Sequence, residues 1–363
     1  MPAFAAGGEF TVGVEDELML IDDDGELLGE RAVPLVAELV AAHDGPGLVI
    51  GEVYADQVEV TSPVCRGGDD VLRSLTALRS GLVSGGARIM SAGVHPTAAL
   101  GGAVLSSSPR YDRIVDELAG LLRTPTAAFQ VHVGLPDEVA LMRAYRGLRQ
   151  RLPLLRALAA GSPFWHGRDS GLATSRSAII RSYPRQTVAP LLRTWEDYVT
   201  RTAAVLAAAE AEDHTYIWGD LRPRPLIGTL EVRVMDAVPS LALAAGLAAL
   251  VQGIARRAVE SPDLLDLSDD VLTVNDERAT RYGLDTRVVD VDQELRPLRE
   301  VAARSLAEAR DALRPDGLDR PLDAVEKVLA DAPAPDRQRR LVATQGMPAL
   351  LADLAARTAD LEG

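Results

Sequence analysis

Glu15, Glu17, Glu59 and Glu231 each sit in a stretch where apolar residues alternate with acids, amides, His or Arg. That alternation has the period of a β-strand, whose successive side chains point to opposite faces. In Val12–Leu20, Glu15 and Glu17 share one side while Val12, Val14, Leu18 and Leu20 share the other. Gln57 and Glu59 stand opposite Val58 and Val60, and Gln130 and His132 opposite Val131 and Val133. Glu231 and Arg233 stand opposite Leu230, Val232 and Val234. If the four strands share one sheet, four or more carboxylates and imidazoles meet on one surface, and cations must offset their repulsion. Carboxylate donors with little sulfur suit Mg²⁺ or Mn²⁺ better than zinc.

Any one such strand is ordinarily the wet side of an antiparallel sheet. What points beyond that is residue choice, because three of the strands carry a central Glu with no Lys to balance it. Asp16 breaks the alternation and falls on the apolar face; a bulge near Gly13 or an arginine partner would accommodate it. Arg176, Arg185, Arg222 and Arg233 are the candidates for anion recognition, since guanidinium forks match phosphate and carboxylate. The segment from Gly161 to Arg176 has loop composition, yet it carries Phe164, Trp165, His166, Arg168 and Arg176. It either borders a site at the rim of the polar face or plugs the edge of the core.

The elements that must position these residues follow from pattern. Leu72, Leu75, Leu78 and Leu82 recur at helical spacing within 70–90, predicting a helix over the sheet. Further helices are expected over 111–122, over 137–160 with a break at Pro153, over 186–212, and through most of the chain after Ser240. Asp22-Asp-Asp-Gly25 reads as a turn. At 363 residues, with 47% hydrophobic and 25% charged residues, the chain can bury a substantial core. No linker or repeat divides it, so one domain over 1–363 is expected.

Lys and Arg number 38 against 53 Asp and Glu, a net charge of −15, which disfavours nucleic acid or an anionic membrane as partner. Cys65 is the single cysteine, so neither an internal disulfide nor a thiolate zinc cluster can form. The N-terminus shows no leader pattern, and the apolar run 241–251 reads as a buried helix. A cytoplasmic location is the expectation.

Taken in order, Gly13-Val-Glu-Asp-Glu-Leu, Glu52 with Glu59-Val, Val131-His-Val-Gly, Ser162-Pro-Phe-Trp, Asp220-Leu-Arg-Pro, Gly228-Thr-Leu-Glu-Val-Arg and Arg281-Tyr-Gly-Leu resemble the carboxylate–amine ligases of the glutamate–cysteine ligase type 2 family. The likeness runs from about Gly8 to Leu354. It departs at Asp16, where the family usually has a third Glu, at Leu18, where it has an aromatic, and at Gln130, where it tends to carry His.

The resemblance implies an α+β fold of the glutamine synthetase superfamily. Its curved antiparallel sheet, of about six strands, would bind ATP and Mg²⁺ or Mn²⁺ on a concave polar face, with helices packed on the other. It also implies an ATP-dependent ligase joining an amino acid carboxylate to an amine through an acyl phosphate. Glu15, Glu17, Glu59, His132 and Glu231 would then hold metal, with Glu231 and Arg233 at the reaction centre. Arg176, Arg185, Arg222, Trp165 and Gln130 would contact the substrates or ATP. No GxxxxGK[ST] loop and no GxGxxG after a strand competes with that reading. A phosphotransferase of the same superfamily and a non-catalytic ATP or metabolite sensor are the alternatives, and a homo-oligomer is compatible with either.

Overall fold

In chain order the strands are β1 (Val12–Leu20), β2 (Leu48–Gly51), β3 (Gln57–Thr61), β4 (Ile89–Met90), β5 (Ala128–Gly134), β6 (Phe164–Trp165), β7 (Arg168–Asp169), β8 (Leu221–Arg224), β9 (Thr229–Asp236), β10 (Arg287–Val289) and β11 (Leu295–Pro297). The structure is a computed structural model described over residues 4–261 and 265–361. The expectation of no leader rests partly on Met1 to Ala3, which lie outside the described residues. Seven strands form one antiparallel sheet in the order β2-β3-β1-β5-β9-β8, with β4 pairing the end of β1. The remaining four make two small hairpins, β6–β7 and β10–β11.

The apolar face of this sheet carries Val14, Leu18, Val58, Val60, Val131, Val133, Leu230, Val232 and Val234, all fully buried. Helices cover it. Leu241–Glu260 is buried along most of its length and packs against helices Gly68–Ser84, Glu138–Arg149, Leu298–Leu313 and Leu322–Ala330. It is long and apolar enough for a membrane span, but 72% of its apolar window is buried inside the fold, as a core helix would be. Gly253 lets Leu298–Leu313 come close, since a Cβ there would stand 2.5 Å from that of Ala309.

Asp16 finds its partner among these helices. Arg79 donates to it from Nε at 2.9 Å and closes on Val238 O at 3.0 Å and Pro239 O at 2.7 Å, with neither ionic side chain exposed. The exception to the alternation is therefore an ion pair through the apolar face, and not a bulge. The sheet's irregularity lies instead between Phe129 and Val131, opposite β9.

Two predicted helices need correction. The helix expected over 70–90 runs Gly68–Ser84 and stops at Gly85 and Gly86, the latter at φ +90°; the chain then returns to the sheet as β4. The helix expected over 186–212 begins only at Trp195, capped by Thr194. Pro190, which lacks an N–H donor, helps keep residues 186–194 irregular. The break in 137–160 falls between Arg149 and Leu152, with Pro153 in the first turn of the second helix.

Candidate active site

The polar face is not a wet face. Gln57, Glu59, Gln130, His132 and Glu231 are 2%, 8%, 2%, 8% and 0% exposed, while Glu15 and Glu17 are partly open to a cleft of ≈ 510 Å³. The ladder aligns these groups in rows across the strands. Glu17 faces Glu59, Glu15 faces Gln130, and His132 faces Glu231, which in turn faces Arg222.

The cleft has an acidic half and a cationic half. On β1, β3 and the turn before β3, Glu15, Glu17, Glu52 and Glu59 line it; on β8, β9 and helix Ser175–Arg181, so do Arg222, Arg224, Arg233 and Arg176. Glu231 organises the arginines. Its Oε1 accepts from Arg222 Nη2 at 2.9 Å and from Arg233 Nη1, and its Oε2 accepts from Arg222 Nε at 2.8 Å and Arg224 Nη1 at 3.2 Å. Four donors occupy the roughly four lone-pair sites of one carboxylate. Burial raises the Glu231 pKa, but the charges of Arg222 and Arg233 outweigh it and hold the group well below the usual range. Arg233 also donates to Gln130 Oε1, and Gln130 Nε2 donates to Glu17 Oε1 at 2.8 Å. Gln130 thus links the two halves through its neutral amide.

The acids on the other side lack such relief. Burial first, then the charge of Glu52, pushes the Glu17 carboxyl up to about 7. Burial, then the charges of Glu15, Glu52 and Glu17, pushes Glu59 up to about 10. Glu15 behaves differently: burial raises it, yet the bond from His132 Nε2 at 3.0 Å and the His132 charge prevail and lower it. The second His132 nitrogen, Nδ1, contacts Thr229 Oγ1 at 3.0 Å. Ligand atoms of Glu15, His132 and Glu231 lie within 4.8 Å of one another, close enough to share one ion. A divalent cation suits this donor set, because clustered buried carboxylates are stabilised by nothing better than a hard cation. Glu231 meets that role only by giving up an arginine.

Other predicted residues divide. Arg176 is 6% exposed, lines the cleft, donates Nη2 to Arg233 O at 3.3 Å, and leaves Nε and Nη1 without a hydrogen-bond partner. Arg222 and Gln130 line the cleft as well. Trp165 does not; it donates to Thr124 Oγ1 at 3.3 Å and stacks on His166, while Phe164 fills a core cluster with Met19, Met90 and Leu350. The aromatics of the 161–176 segment therefore pack the edge, and only its end, anchored through Ser162 and Thr174 to Asp236, delivers Arg176 to the cleft. Arg185 does not line the cleft; its guanidinium lies over the Trp218 ring.

Glu52, Arg224, Tyr183 and Trp218 line the cleft without having been singled out as site residues from sequence. Arg224 was visible in principle, since it alternates with Arg222 on one face of β8. Glu52 precedes β3 in irregular chain, where periodicity says nothing.

An antiparallel sheet backed by helices, with acids facing arginines in one cleft, is a fold shared with solved ligases. The glutamate–cysteine ligase of Francisella tularensis, solved in complex with AMP, superposes with a TM-score of 0.73 at 13% identity, covering 99% of this chain and 89% of that one. In sequence, a Rubrobacter xylanophilus protein with the provisional name glutamate–cysteine ligase 2-3 is 34% identical over 357 residues, 94% of this chain and 95% of the relative. A Thermobifida fusca protein provisionally named glutamate–cysteine ligase 2 is 32% identical over 350 residues, 93% of this chain and 88% of the relative. Residues 11–350 match the model of glutamate–cysteine ligase family 2, and the chain belongs to that family of ligases.

Proposed function

We propose that the protein activates an amino acid carboxylate with ATP and joins it to an amine, releasing ADP and phosphate, with residues 1–363 acting as one cytoplasmic ligase domain. The observation that carries this reading is the cleft in which four carboxylates, only Glu15 of them paired with a cationic side chain, His132, face four arginines.

A carboxylate is a poor acyl donor because oxide is a poor leaving group. Attack of its oxygen on the γ-phosphorus of ATP breaks the bond to the β–γ bridging oxygen, expels ADP and leaves an acyl phosphate. The amine nitrogen then attacks the acyl carbon, the carbon–oxygen bond to phosphate breaks, and one proton is released. Both steps require alignment and charge stabilisation more than covalent help. Arg233, fixed by Glu231 and Gln130, would stabilise charge on the transferred phosphoryl group, and Arg222 and Arg224 would hold the remaining phosphates. Arg176 would pair the donor's carboxylate with its two free nitrogens. Glu15, Glu17, Glu52 and Glu59, with His132, would hold Mg²⁺ or Mn²⁺, which when bound neutralises phosphate charge.

The test is ADP release in the presence of Mg²⁺ or Mn²⁺ across pairs of amino acids and amines, glutamate with cysteine first, with mass analysis of the product. ADP formation that needs both the carboxylate and the cation, with an amide as product, supports the reading. AMP and pyrophosphate as products would replace it with adenylate chemistry.

A further inference from the structure

Trp218 lines the cleft and Arg185 does not, and the Arg185 guanidinium carbon lies over the indole, 4.7 Å from its centroid. Three features fix that guanidinium. Nε donates to Tyr216 O at 2.8 Å, Nη2 pairs with Glu117, and Arg185 itself holds φ +62°, a left-handed conformation that residues other than glycine seldom adopt. Strained backbone of this kind persists where the surroundings over-determine it, and it clusters at ligand sites. One face of the indole is thus covered by a fixed cation, and the ring is rigidly set into the cleft wall.

The surroundings say what such a ring receives. Leu118 and Tyr183 border it with apolar surface. Three residues before Trp218, the carbonyl of Thr215 accepts from Arg222 Nη1 at 3.1 Å, so the platform adjoins the arginines grouped on Glu231. A flat apolar ring beside a cationic phosphate subsite is the recognition pattern of a nucleoside polyphosphate. Aromatic platforms hold bases by stacking, which tolerates any base because each has a π-face.

We propose that Trp218, backed by Arg185, stacks the purine base of the nucleotide, so that the nucleoside enters at the Trp218 end and its phosphates run toward Arg222 and Arg224. The proposal rests on the reading that the cleft takes ATP. Arg185 acts here as a positioning residue through the indole.

The experiment uses the full chain with Mg²⁺-ADP as probe, read by calorimetry and by indole fluorescence, with Trp165 and Trp195 as the other emitters. ADP should quench emission in the wild type and not in Trp218→Phe, which keeps a flat ring and affinity within a few fold. Trp218→Leu should bind ADP roughly ten- to a hundredfold more weakly, with the KM of the amino acid donor unchanged. Arg185→Met should weaken ADP binding as well, and Arg185→Lys should restore part of it. Equal ADP affinity in wild type and Trp218→Leu overturns the base assignment while ATP use stands. A rise only in the KM of the amine assigns the platform to the acceptor and likewise overturns it. If Trp218→Leu does not fold, the quench in Trp218→Phe decides, and its persistence there counts against the proposal. Absence of any ADP binding to the wild type removes the ATP reading itself, and the proposal with it.

Discussion

Glu17 and Glu59 stand directly opposite each other across β1 and β3, and no guanidinium is hydrogen-bonded to either carboxylate among the described residues. Two facing acids, Glu59 buried and Glu17 only partly open to the cleft, store repulsion that a cation would relieve. For Glu59 the sign follows from linkage. Below its ordinary value of 4.5, folded and unfolded chains both carry the proton; above it the unfolded chain ionises while the folded one resists up to about 10, so stability declines as pH rises. In chelator, Glu59→Gln is expected to melt a few degrees above wild type at pH 8, with the gap narrowing toward pH 5. Adding Mg²⁺ or Mn²⁺ should raise the wild-type Tm and barely move the variant. A metal-free variant that melts below wild type at pH 8 would refute this account.

Arg176 makes a complementary case. Its Nε and Nη1 are buried without partners, a cost in the free protein that a bound anion would remove. Arg176→Met should leave the melting temperature unchanged or higher, yet raise the KM of the donor carboxylate tenfold or more. Steady-state kinetics with ATP saturating checks it, and an unaltered KM would show that Arg176 serves only the fold.

The Asp16–Arg79 pair should behave as a buried ion pair. Removing one partner, as in Asp16→Leu or Arg79→Met, is expected to cost about 3–5 kcal/mol because the other charge remains buried. The double variant should recover most of that loss. Denaturant melts arranged as a double-mutant cycle measure the coupling, and additive losses would contradict it.

His95 supplies a pH dependence away from the cleft. It is fully buried, with Nε2 2.8 Å from Gly25 O, so that nitrogen carries the proton; burial lowers its pKa from the ordinary 6.5, against the smaller opposing effects of the Gly25 bond and of Glu26. A depressed histidine binds fewer protons folded than unfolded, so its contribution is complete above about 6.5 and is lost as pH falls below that. Wild type should lose up to about 1.4 kcal/mol per pH unit there, and His95→Gln should show a flatter profile. Urea titrations between pH 7 and 5 decide the matter.

Much of the site was legible because a strand's period assigns faces without further information. Alternation alone gave Glu15, Glu17, Glu59, Gln130, His132, Glu231 and Arg233 the polar face of each strand, and the shared sheet β3-β1-β5-β9 makes those faces one surface. Three things were not legible. Glu52 and Trp218 enter from irregular chain, where no period operates. The helix over 186–212 was overextended at its start, across Pro190, which lacks the N–H that a helix interior needs. The partner of Asp16 lies 63 residues away on a helix, and a single sequence carries no signal for a contact at that separation.

Arg79 also bears on how the protein is made. Its guanidinium reaches Asp16 in β1, the carbonyls of Val238 and Pro239 after β9, and Thr358 O at 3.5 Å in helix Met347–Ala359; the Thr358 hydroxyl in turn accepts from Ser91 N at 2.9 Å. The partner of an aspartate in the first twenty residues is thus completed by a helix some 340 residues later. On a ribosome the acidic strand would wait, its buried aspartate unpaired with that full set of contacts, until nearly the whole chain had emerged. Slow closure of such distant contacts is the expected folding bottleneck, and a nascent chain stalled before Met347 should be sensitive to proteases across the same segments that later build the cleft.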